Sequence, residues 1–333
     1  MAAADGVRPY FLGIDLGGTN VKAGVVDDNG KALSSVSQPT EAERGPELGV
    51  QRICQTAREA VLKAGLTLDD IHSVGVGSPG PMDLEAQIII DPHNLPGWIN
   101  LPLAARVGES LGLRSVLQND ANAAAFGEYW VGAGKGKRSL VQFTLGTGIG
   151  SGIVMDGKIL EGRHSHGAEA GHMRIDPSPT ARLNGTGLRG SLEAYCSASG
   201  VVARIKEALE GGADAPKLRA LMSSGQRLTA KTIFQAADEG DQLAKRIVDE
   251  TAFYLAIGAV NLMHVIDPDV VVFSGGMIAA GEPFLEKIRA YVRENALPVP
   301  AAKTEIVYAK VGTDAGFIGA AGCARSKFAT SAS

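Results

Sequence analysis

The chain of 333 residues has little of what marks specialised protein classes. Its three cysteines, Cys54, Cys196 and Cys323, are odd in number and far apart, which argues against a disulfide framework and for a reducing compartment. It also lacks a long uninterrupted apolar run, because polar residues such as Asp267 break up its most apolar segment, 251–281. We therefore expect neither a disulfide-stapled protein nor a membrane-spanning one.

The chain also lacks long clusters of like charge, and its first residues do not resemble a secretion signal. The net charge is −4 at pH 7, and the longest basic cluster is the short GKGKR at 134–138. This charge balance does not favour binding to nucleic acid or to anionic lipid. The first ten residues lack the basic and then apolar regions of a secretion signal. These features predict a cytoplasmic protein without nucleic-acid or membrane partners.

The rest of the composition is that of an ordinary folded protein. Hydrophobic residues make up 45% of the chain and charged residues 20%, which is enough apolar material for a real core. The length favours two domains, on the usual expectation of roughly 150 residues for each.

A glycine turn between two short strands lies near the start of the chain. Residues 10–16 have the pattern of a buried strand and 21–27 that of a second strand, so the GGT at 17–19 forms the turn between them. An Asn-Gly pair at 29–30 then predicts a type I′ hairpin. The glycines have a simple explanation, since glycine supplies the positive φ of tight turns. The turn matches neither the Walker loop nor the dinucleotide fingerprint.

A second copy of this arrangement occupies residues 140–160. It contains an apolar strand, a GTG turn at 146–148, an alternating strand and an Asp-Gly hairpin signal at 156–157. The repetition indicates a duplicated fold with one hairpin near the front of each half. Adjacent amides without side chains form an anion-binding concavity, and a threonine hydroxyl adds a donor. We therefore expect the two turns to hold a polyphosphate from both sides.

Seven segments follow one another in the chain as DLGGTNVKAGVV, GVGSPGPMD, NLPGW, QNDANAAAFGE, LGTGIGSGIV, EAGH and VVFSGG. Taken together and in this order, they resemble the ROK family of sugar kinases, within the actin/hexokinase/Hsp70-like superfamily. The resemblance extends over about residues 10–322.

The resemblance implies an α/β protein with the two-domain actin-like ATPase (ribonuclease H-like) fold and a cleft between the lobes. Each lobe is expected to contain a mixed five-stranded sheet. We expect residues 1–119 to form the small lobe and 120–311 the large lobe. A helix rich in small residues at about 312–330 is expected to pack back on the small lobe.

Asp120 follows a strand at 115–118 and precedes an alanine-rich helix. An Asp at this place can simply cap the helix by accepting backbone N–H groups. It also lies where ligands bind in α/β folds, at the carboxyl end of a strand. The resemblance implies that Asp120 is the general base, which accepts the proton of a sugar hydroxyl and aligns that hydroxyl with the γ-phosphate.

A set of sugar-binding residues is also implied. In the loop DPHNLPGW the resemblance assigns the sugar contact to the asparagine, whereas Trp98 is expected to be a packing anchor. Gly80 follows a rigid turn, where a plain loop and a close approach of the sugar both remain open. Without the resemblance, each glutamate of the set would be an ordinary surface acid. The predicted substrate-binding residues are Gly80, Asn94, Asn119, Asp120, Glu169, His172 and Glu193.

ATP and Mg²⁺ are the implied cofactors. Asp15, at the edge of the first turn, is predicted to hold Mg²⁺ through water. The Gly-Gly pair at 275–276 follows an apolar strand and can simply start a helix, but the resemblance places it under the adenosine. The predicted nucleotide-binding residues are Gly17, Gly18, Thr19, Lys22, Thr147, Gly148, Gly275 and Gly276.

The chain departs from the family at one point. Many members hold a structural zinc with the equivalent of His172 and three cysteines, whose places here are taken by Asn184, Thr186 and Ser191. Amide and hydroxyl oxygens cannot replace thiolates as zinc ligands in such a site. We therefore predict no structural zinc. The loop at 173–192 must then be ordered by hydrogen bonds, or become ordered only when the sugar binds.

The resemblance implies an ATP-dependent hexokinase of the glucokinase type, which phosphorylates the 6-hydroxyl of glucose. Kinases of N-acetylglucosamine, N-acetylmannosamine or fructose, and a sugar-binding regulator without catalysis, remain alternatives. Polyphosphate also remains open as the donor. A DNA-binding regulator is disfavoured, because only ~10 residues precede the first glycine motif and a helix-turn-helix needs more. Homodimers or homotetramers are usual in the family.

Overall fold

The structure, a computed structural model, describes residues 9–328 and divides into two compact units. Unit 1 contains residues 9–137, 152–168 and 310–328. Unit 2 contains residues 138–151 and 169–309. Among residues 9–328, no helix has both the length and the apolar character needed to cross a membrane.

Helices and strands alternate along the first part of the chain. They are β1 (Tyr10–Leu16), β2 (Asn20–Val26), β3 (Ala32–Pro39), α1 (Pro46–Lys63), β4 (Ile71–Ser78), β5 (Met82–Asp83), β6 (Ile88–Ile89), α2 (Leu103–Leu111), β7 (Ser115–Asn119) and α3 (Asp120–Val131).

Helices outnumber strands in the rest of the chain. The elements are β8 (Ser139–Leu145), β9 (Ile149–Met155), β10 (Lys158–Ile159), α4 (Leu192–Cys196), α5 (Ala198–Glu210), α6 (Pro216–Ser223), α7 (Ala230–Asp238), α8 (Gln242–Ile266), β11 (Val270–Ser274), α9 (Glu282–Asn295), α10 (Pro298–Lys303), β12 (Glu305–Tyr308) and α11 (Ala315–Phe328).

The first sheet has five strands in the order β3-β2-β1-β4-β7. Strand β1 pairs antiparallel with β2 and parallel with β4, which pairs parallel with β7. In this register Asp15 lies beside Lys22 on one neighbouring strand and Gly77 on the other. The carboxyl ends of β1, β4 and β7 therefore bring Asp15 and the Asn119-Asp120 pair to the same edge of the sheet.

Helices α1 and α11 cover the first sheet in different ways. Apolar residues on one face of α1, including Ile53 and Ala57, join the main core of the unit. Helix α11 packs against β1, β4 and α3, and its approach is so close that a Cβ on Gly13 would lie 1.8 Å from the Phe317 carbonyl oxygen. Small residues on both sides of this contact are what permit it.

The second sheet has the order β10-β9-β8-β11-β12, the same pattern of a hairpin followed by further strands. Strand β11 pairs parallel with both β8 and β12. It is buried as far as Phe273, which stacks on Phe143 of β8 at 5.5 Å between ring centroids. A strand covered on both faces reads as a continuous apolar run, which is why VVVF was recognisable in the sequence.

The two predicted hairpin turns differ. The Asp-Gly pair has φ of 48° at Asp156 and 78° at Gly157, as a two-residue type I′ turn requires. The prediction of a type I′ turn at the Asn-Gly pair is wrong, because only Gly30 has a positive φ and the connection runs from 27 to 31. The Asp27 carboxylate accepts the backbone N–H groups of Asn29 and Lys31 and so favours this longer turn.

Candidate active site

The turn between β1 and β2 is narrow and fixed by hydrogen bonds. The Gly17 N–H donates to the Asn20 carbonyl at 2.9 Å, which closes the turn. Thr40 supports it from the side, donating from its hydroxyl to the Gly17 carbonyl at 2.7 Å and from its N–H to the Thr19 carbonyl at 2.9 Å. Thr19 itself is exposed. The predicted phosphate-binding turn is therefore held in one shape in unit 1.

Gly18 lies directly against the loop that carries Asn94. A Cβ on Gly18 would lie 2.6 Å from the Asn94 carbonyl oxygen, too close for any side chain. Gly80 touches the same loop, since a Cβ there would lie 2.4 Å from the Pro92 Cβ. The structure thus brings Gly18, Gly80 and Asn94 together in unit 1, and two of the glycines that the sequence singled out are needed for this packing.

Trp98 anchors the loop of Asn94. Its side chain is completely buried, and its indole N–H donates to the Ala42 carbonyl at 3.2 Å. Gly49 of α1 leaves room for the ring, because a Cβ at that position would lie 2.0 Å from it. An indole with its single donor satisfied and its ring buried is a packing residue.

At the head of α3 the capping role falls to Asn119. Its side-chain oxygen accepts the N–H groups of Ala121 and Asn122 at 3.0 and 3.1 Å. Asp120 is the first residue of the helix, and one of its oxygens accepts the Ala121 N–H at 2.8 Å. A helix-capping role therefore does not by itself account for Asp120, which is half-buried at the edge of the sheet.

Asp15 has an unusual acidity. The pKa of its carboxyl is raised from 3.8 to about 6, first by burial and then by the negative charge of Asp120, while Lys22 acts in the opposite direction. A carboxylate that raises the pKa of another lies close enough to interact with it, so Asp15 and Asp120 form an acidic pair in unit 1. Lys22 contacts the 3-10 turn Gly312–Asp314 just before α11, where its ammonium pairs with Asp314 and donates to Thr313.

Unit 2 contains the second glycine turn. The Gly146 N–H donates to the Gly148 carbonyl at 3.0 Å, and the Gly146 carbonyl accepts from the Ala198 N–H at 2.9 Å. Glu193 closes the other side, because its Oε2 accepts the Ile149 N–H at 2.9 Å. A Cβ on Gly148 would lie 2.4 Å from that oxygen. The turn and a predicted sugar-binding carboxylate are thus in direct contact, while Thr147 is exposed at its tip.

Glu169 and His172 lie at the two ends of a single 3-10 turn, Ala170–His172. The His172 N–H donates to the Glu169 carbonyl at 3.0 Å, and the Ala170 N–H donates to the Ser151 hydroxyl at 2.8 Å. The Glu169 carboxylate is exposed and His172 is half-buried.

The loop at 173–192 is ordered by hydrogen bonds. Asn184 donates from its side-chain amide to His172 Nδ1 and to Glu193 Oε1, each at 3.2 Å. Thr186 donates its hydroxyl to the Asn184 side-chain oxygen, and Ser191 caps α4 by accepting the Ala194 N–H. The three residues at the cysteine positions therefore all have hydrogen-bonding roles.

These oxygen and nitrogen donors do not fit a structural zinc, which takes thiolate and imidazole ligands in tetrahedral geometry. Within residues 9–328, no group of three or more His, Cys, Asp or Glu side chains is placed to hold a metal ion.

A cavity of about 490 Å³ lies in unit 2, a size typical of small-molecule sites. Gly146 and Thr147 of the second turn line it on one side, and Gly276 and Met277 on another. Gly275, with φ of 89°, leaves β11 by a turn in which a Cβ would lie 2.5 Å from the Leu145 carbonyl oxygen. The structure thus places Gly276 of the predicted Gly-Gly pair and the second turn around one cavity.

Helix α7 supplies a wall of this cavity that sequence analysis missed. The lining residues of this part of the chain are Thr229, Ala230, Lys231, Phe234, Gln235 and Asp238. The helix reads as an ordinary amphipathic segment, and nothing in its pattern distinguishes an exposed residue facing solvent from one facing a ligand.

A repeated sheet order, a glycine turn in each repeat and an acidic residue at a helix head define the actin-like ATPase fold of sugar kinases. The chain belongs to the ROK family, which residues 11–327 match. The family and the fold expected from the sequence are confirmed.

Individual relatives agree. The glucokinase of Thermotoga maritima is 36% identical over 311 residues, 93% of this chain and 96% of the relative. The crystal structure of a ROK family glucokinase from Streptomyces griseus in complex with glucose and AMPPNP is 33% identical, covers 95% of this chain and 99% of its own, and has a TM-score of 0.76. The N-acetylmannosamine kinase of Salmonella typhi is 31% identical over 93% of this chain and 96% of its own.

Proposed function

We propose that the protein is an ATP-dependent hexokinase that phosphorylates the 6-hydroxyl of glucose. The observation that carries this proposal is the acidic pair of unit 1, with Asp120 at the head of α3 and close enough to Asp15 to raise its pKa. Glucokinase relatives that match almost the whole chain support glucose as the substrate.

The reaction requires a base for one proton and fixed positions for the reacting groups. The 6-hydroxyl oxygen attacks the γ-phosphorus of ATP, the bond from that phosphorus to the β–γ bridging oxygen breaks, and the hydroxyl proton passes to Asp120. The products are glucose 6-phosphate and ADP. Asp120 suits this role because its helix is capped by Asn119, which leaves the Asp120 position fixed by the backbone of α3.

Sugar recognition falls to polar side chains that the sequence singled out. In unit 1 these are Asn94 and Asn119, and Gly80 packs against the loop of Asn94. In unit 2 they are Glu169, His172 and Glu193. Amides, carboxylates and an imidazole together supply the donors and acceptors that a ring of hydroxyl groups requires.

The nucleotide is bound by the backbone of the two turns and by the cavity of unit 2. The amides of Gly18 and Gly148, with the hydroxyls of Thr19 and Thr147, are suited to phosphate oxygens, while the Gly17 N–H closes the first turn. The cavity between α7 and the Gly275-Gly276 turn suits the adenosine, with Phe234 as an aromatic wall.

Asp15 would hold Mg²⁺. A hard cation prefers carboxylate oxygen and water, and a nearby positive charge offsets the repulsion between Asp120 and Asp15 that raises the pKa of Asp15. When bound, the ion neutralises the charge that develops on the phosphate oxygens. We propose no zinc, for the reasons of ligand chemistry given above.

A coupled assay with ATP across glucose, mannose, fructose, N-acetylglucosamine and N-acetylmannosamine tests the proposal. Glucose should give the highest kcat/KM, with ADP formed in equal amount to the sugar phosphate. The Salmonella typhi relative makes N-acetylmannosamine the second candidate. Preference for an N-acetyl sugar would move the assignment to that candidate. If the protein phosphorylates none of these hexoses, the proposal is wrong.

A further inference from the structure

Asn184 makes five side-chain hydrogen bonds, and their directions are fixed by chemistry. Its Oδ1 accepts from the backbone N–H of Thr186 at 3.1 Å, from the Thr186 hydroxyl at 2.8 Å and from the backbone N–H of Leu188 at 2.9 Å. A backbone N–H can only donate, so the oxygen end of the amide must face the loop. The NH₂ end therefore faces His172 and Glu193.

The two remaining contacts use both amide hydrogens. One donates to His172 Nδ1 and the other to Glu193 Oε1, each at 3.2 Å. An NH₂ group has no acceptor lone pair to offer, so Nδ1 of His172 must carry the lone pair and not the proton. In a neutral imidazole the proton then sits on Nε2, and His172 presents an N–H donor at that atom.

Glu193 is oriented by the same amide. Its Oε1 accepts from Asn184 while its Oε2 accepts the Ile149 N–H beside the second glycine turn. The side chain of Asn184 thereby links the imidazole and the carboxylate to the backbone of the turn.

We infer that Asn184 is a positioning residue, which fixes His172 as the Nε2–H tautomer and holds the carboxylate of Glu193 in place for sugar binding. The inference rests on the proposed function for the sugar, but the tautomer follows from the contacts alone.

The matched variants differ by few atoms. Asn184→Asp keeps an oxygen facing Thr186 and Leu188 but replaces the donor facing His172 by an acceptor, so Nδ1 must now carry a proton. Asn184→Ala removes both ends of the amide. Thr186→Val removes one hydrogen bond within the loop and leaves the contacts of Asn184 to His172 and Glu193 intact.

The first measurement is the ¹⁵N NMR spectrum of the histidine rings at pH 8.5, with His172 assigned by comparison with a His172→Gln sample. We expect Nε2 protonated and Nδ1 unprotonated in the native protein and in Thr186→Val. In Asn184→Asp we expect Nδ1 to become protonated. A protonated Nδ1 in the native protein, or an unchanged ring in Asn184→Asp, would overturn the inference.

The second measurement separates KM from kcat. Asn184→Asp and Asn184→Ala should raise the KM for glucose by about 10-fold or more, with a smaller change in the KM for ATP, because the lost contacts orient sugar-binding groups. The KM of Thr186→Val for glucose should stay within about 3-fold of the native value, even if the variant is less thermally stable. Equal KM values for glucose in all four proteins would count against the positioning role.

The two measurements also separate the inference from the proposed function. The native protein could phosphorylate no hexose and still have the Nε2–H tautomer, with the tautomer reversed in Asn184→Asp. That result would refute the proposed function and would still support the role of Asn184 in fixing the His172 ring. If Asn184→Asp fails to fold, the KM and ring spectrum of Asn184→Ala decide, since loss of the donor frees Nδ1 to exchange tautomers.

Discussion

At the scale of single residues, the acids at the edge of the first sheet are the ones that we propose carry the chemistry. Asp120 is placed by the first turn of α3. The sequence left both helix capping and catalysis open for Asp120, and in the structure Asn119 caps the helix. Asp15 is placed by the pairing of β1 with β4, more than 100 residues earlier in the chain. Their interaction is the result of parallel strands that end at the same edge.

Asp120→Asn should lower kcat by about 100-fold or more and leave the KM for glucose within a few-fold, because a general base acts in the transition state. The substitution keeps the shape of the side chain and removes the proton acceptor. Steady-state kinetics with glucose and ATP measure the effect, and Asp69→Asn, at an exposed acid of unit 1, is the control. Near-native turnover by Asp120→Asn would remove it from the mechanism.

Asp15→Asn should stabilise the metal-free protein above neutral pH. The pKa of Asp15 is raised from 3.8 to about 6, so its favourable contribution is complete below pH 3.8 and is lost as the pH rises through about 6. The variant avoids a buried charge, and we expect a gain of about 1–3 kcal/mol at pH 8 that vanishes near pH 4. Thermal unfolding at a series of pH values, with chelator present, measures it.

Asp15→Asn should also weaken activation by Mg²⁺. The effect of the buried charge on stability and its proposed role in holding Mg²⁺ are thus measured separately. A stability difference that does not depend on pH would contradict the shifted pKa of Asp15. Asp69→Asn again serves as the exposed control.

At the scale of elements, the glycines of the hairpin turns have two structural effects. These glycines leave stretches of backbone without side chains, which we propose as phosphate contacts, and they also let other segments approach, as Asn94 approaches Gly18 and Glu193 approaches Gly148. The first property was predictable from the local sequence. The second was not, because the contacting residues are distant in the chain and only packing brings them together.

Gly18→Ala should raise the KM for glucose as well as the KM for ATP, each by about 5-fold or more, and Gly18→Val by a larger factor. A Cβ there meets the Asn94 carbonyl oxygen at 2.6 Å, so the loop that is proposed to bind sugar must move. Gly211→Ala is the matched control, since its Cβ would meet the nearest atom at 3.3 Å and its φ of −73° suits any residue. A change in the KM for ATP alone would mean that Asn94 does not depend on this contact.

At the scale of the whole molecule, the strand order repeats while the supports of the repeats differ. Thr40 fixes the first turn, whereas the Ala198 N–H and the Glu193 carboxylate fix the second. The loop at 173–192 likewise reaches order through side-chain hydrogen bonds in place of thiolate ligands. The repeated sheets keep the turns alike, and each unit stabilises its own turn with whatever residues its packing supplies.

Zinc should be absent from the purified protein. We expect less than about 0.1 zinc per chain by elemental analysis, because the donors at the three cysteine positions are amide and hydroxyl groups. Dialysis against EDTA should leave the unfolding temperature unchanged, and added Mg²⁺ alone should restore full activity. One zinc per chain, or a fall in unfolding temperature after EDTA that zinc reverses, would show that other ligands hold the metal.

The sequence by itself determined the two glycine turns, the type I′ turn at Asp156 and Gly157, and an acid at the head of an alanine-rich helix, and its resemblance to the ROK family indicated the fold class. Local periodicity sets the strands that flank the turns, and residues that tolerate positive φ set the turn at Asp156 and Gly157. The longer turn at Asn29 and Gly30 follows from a local contact of Asp27 that the Asn-Gly signal does not include. Tertiary structure alone decided that Asn184 joins His172 to Glu193 and that α7 lines the cavity of unit 2. Such contacts depend on which surfaces meet after folding, and a local sequence pattern does not specify which distant residues will contact it.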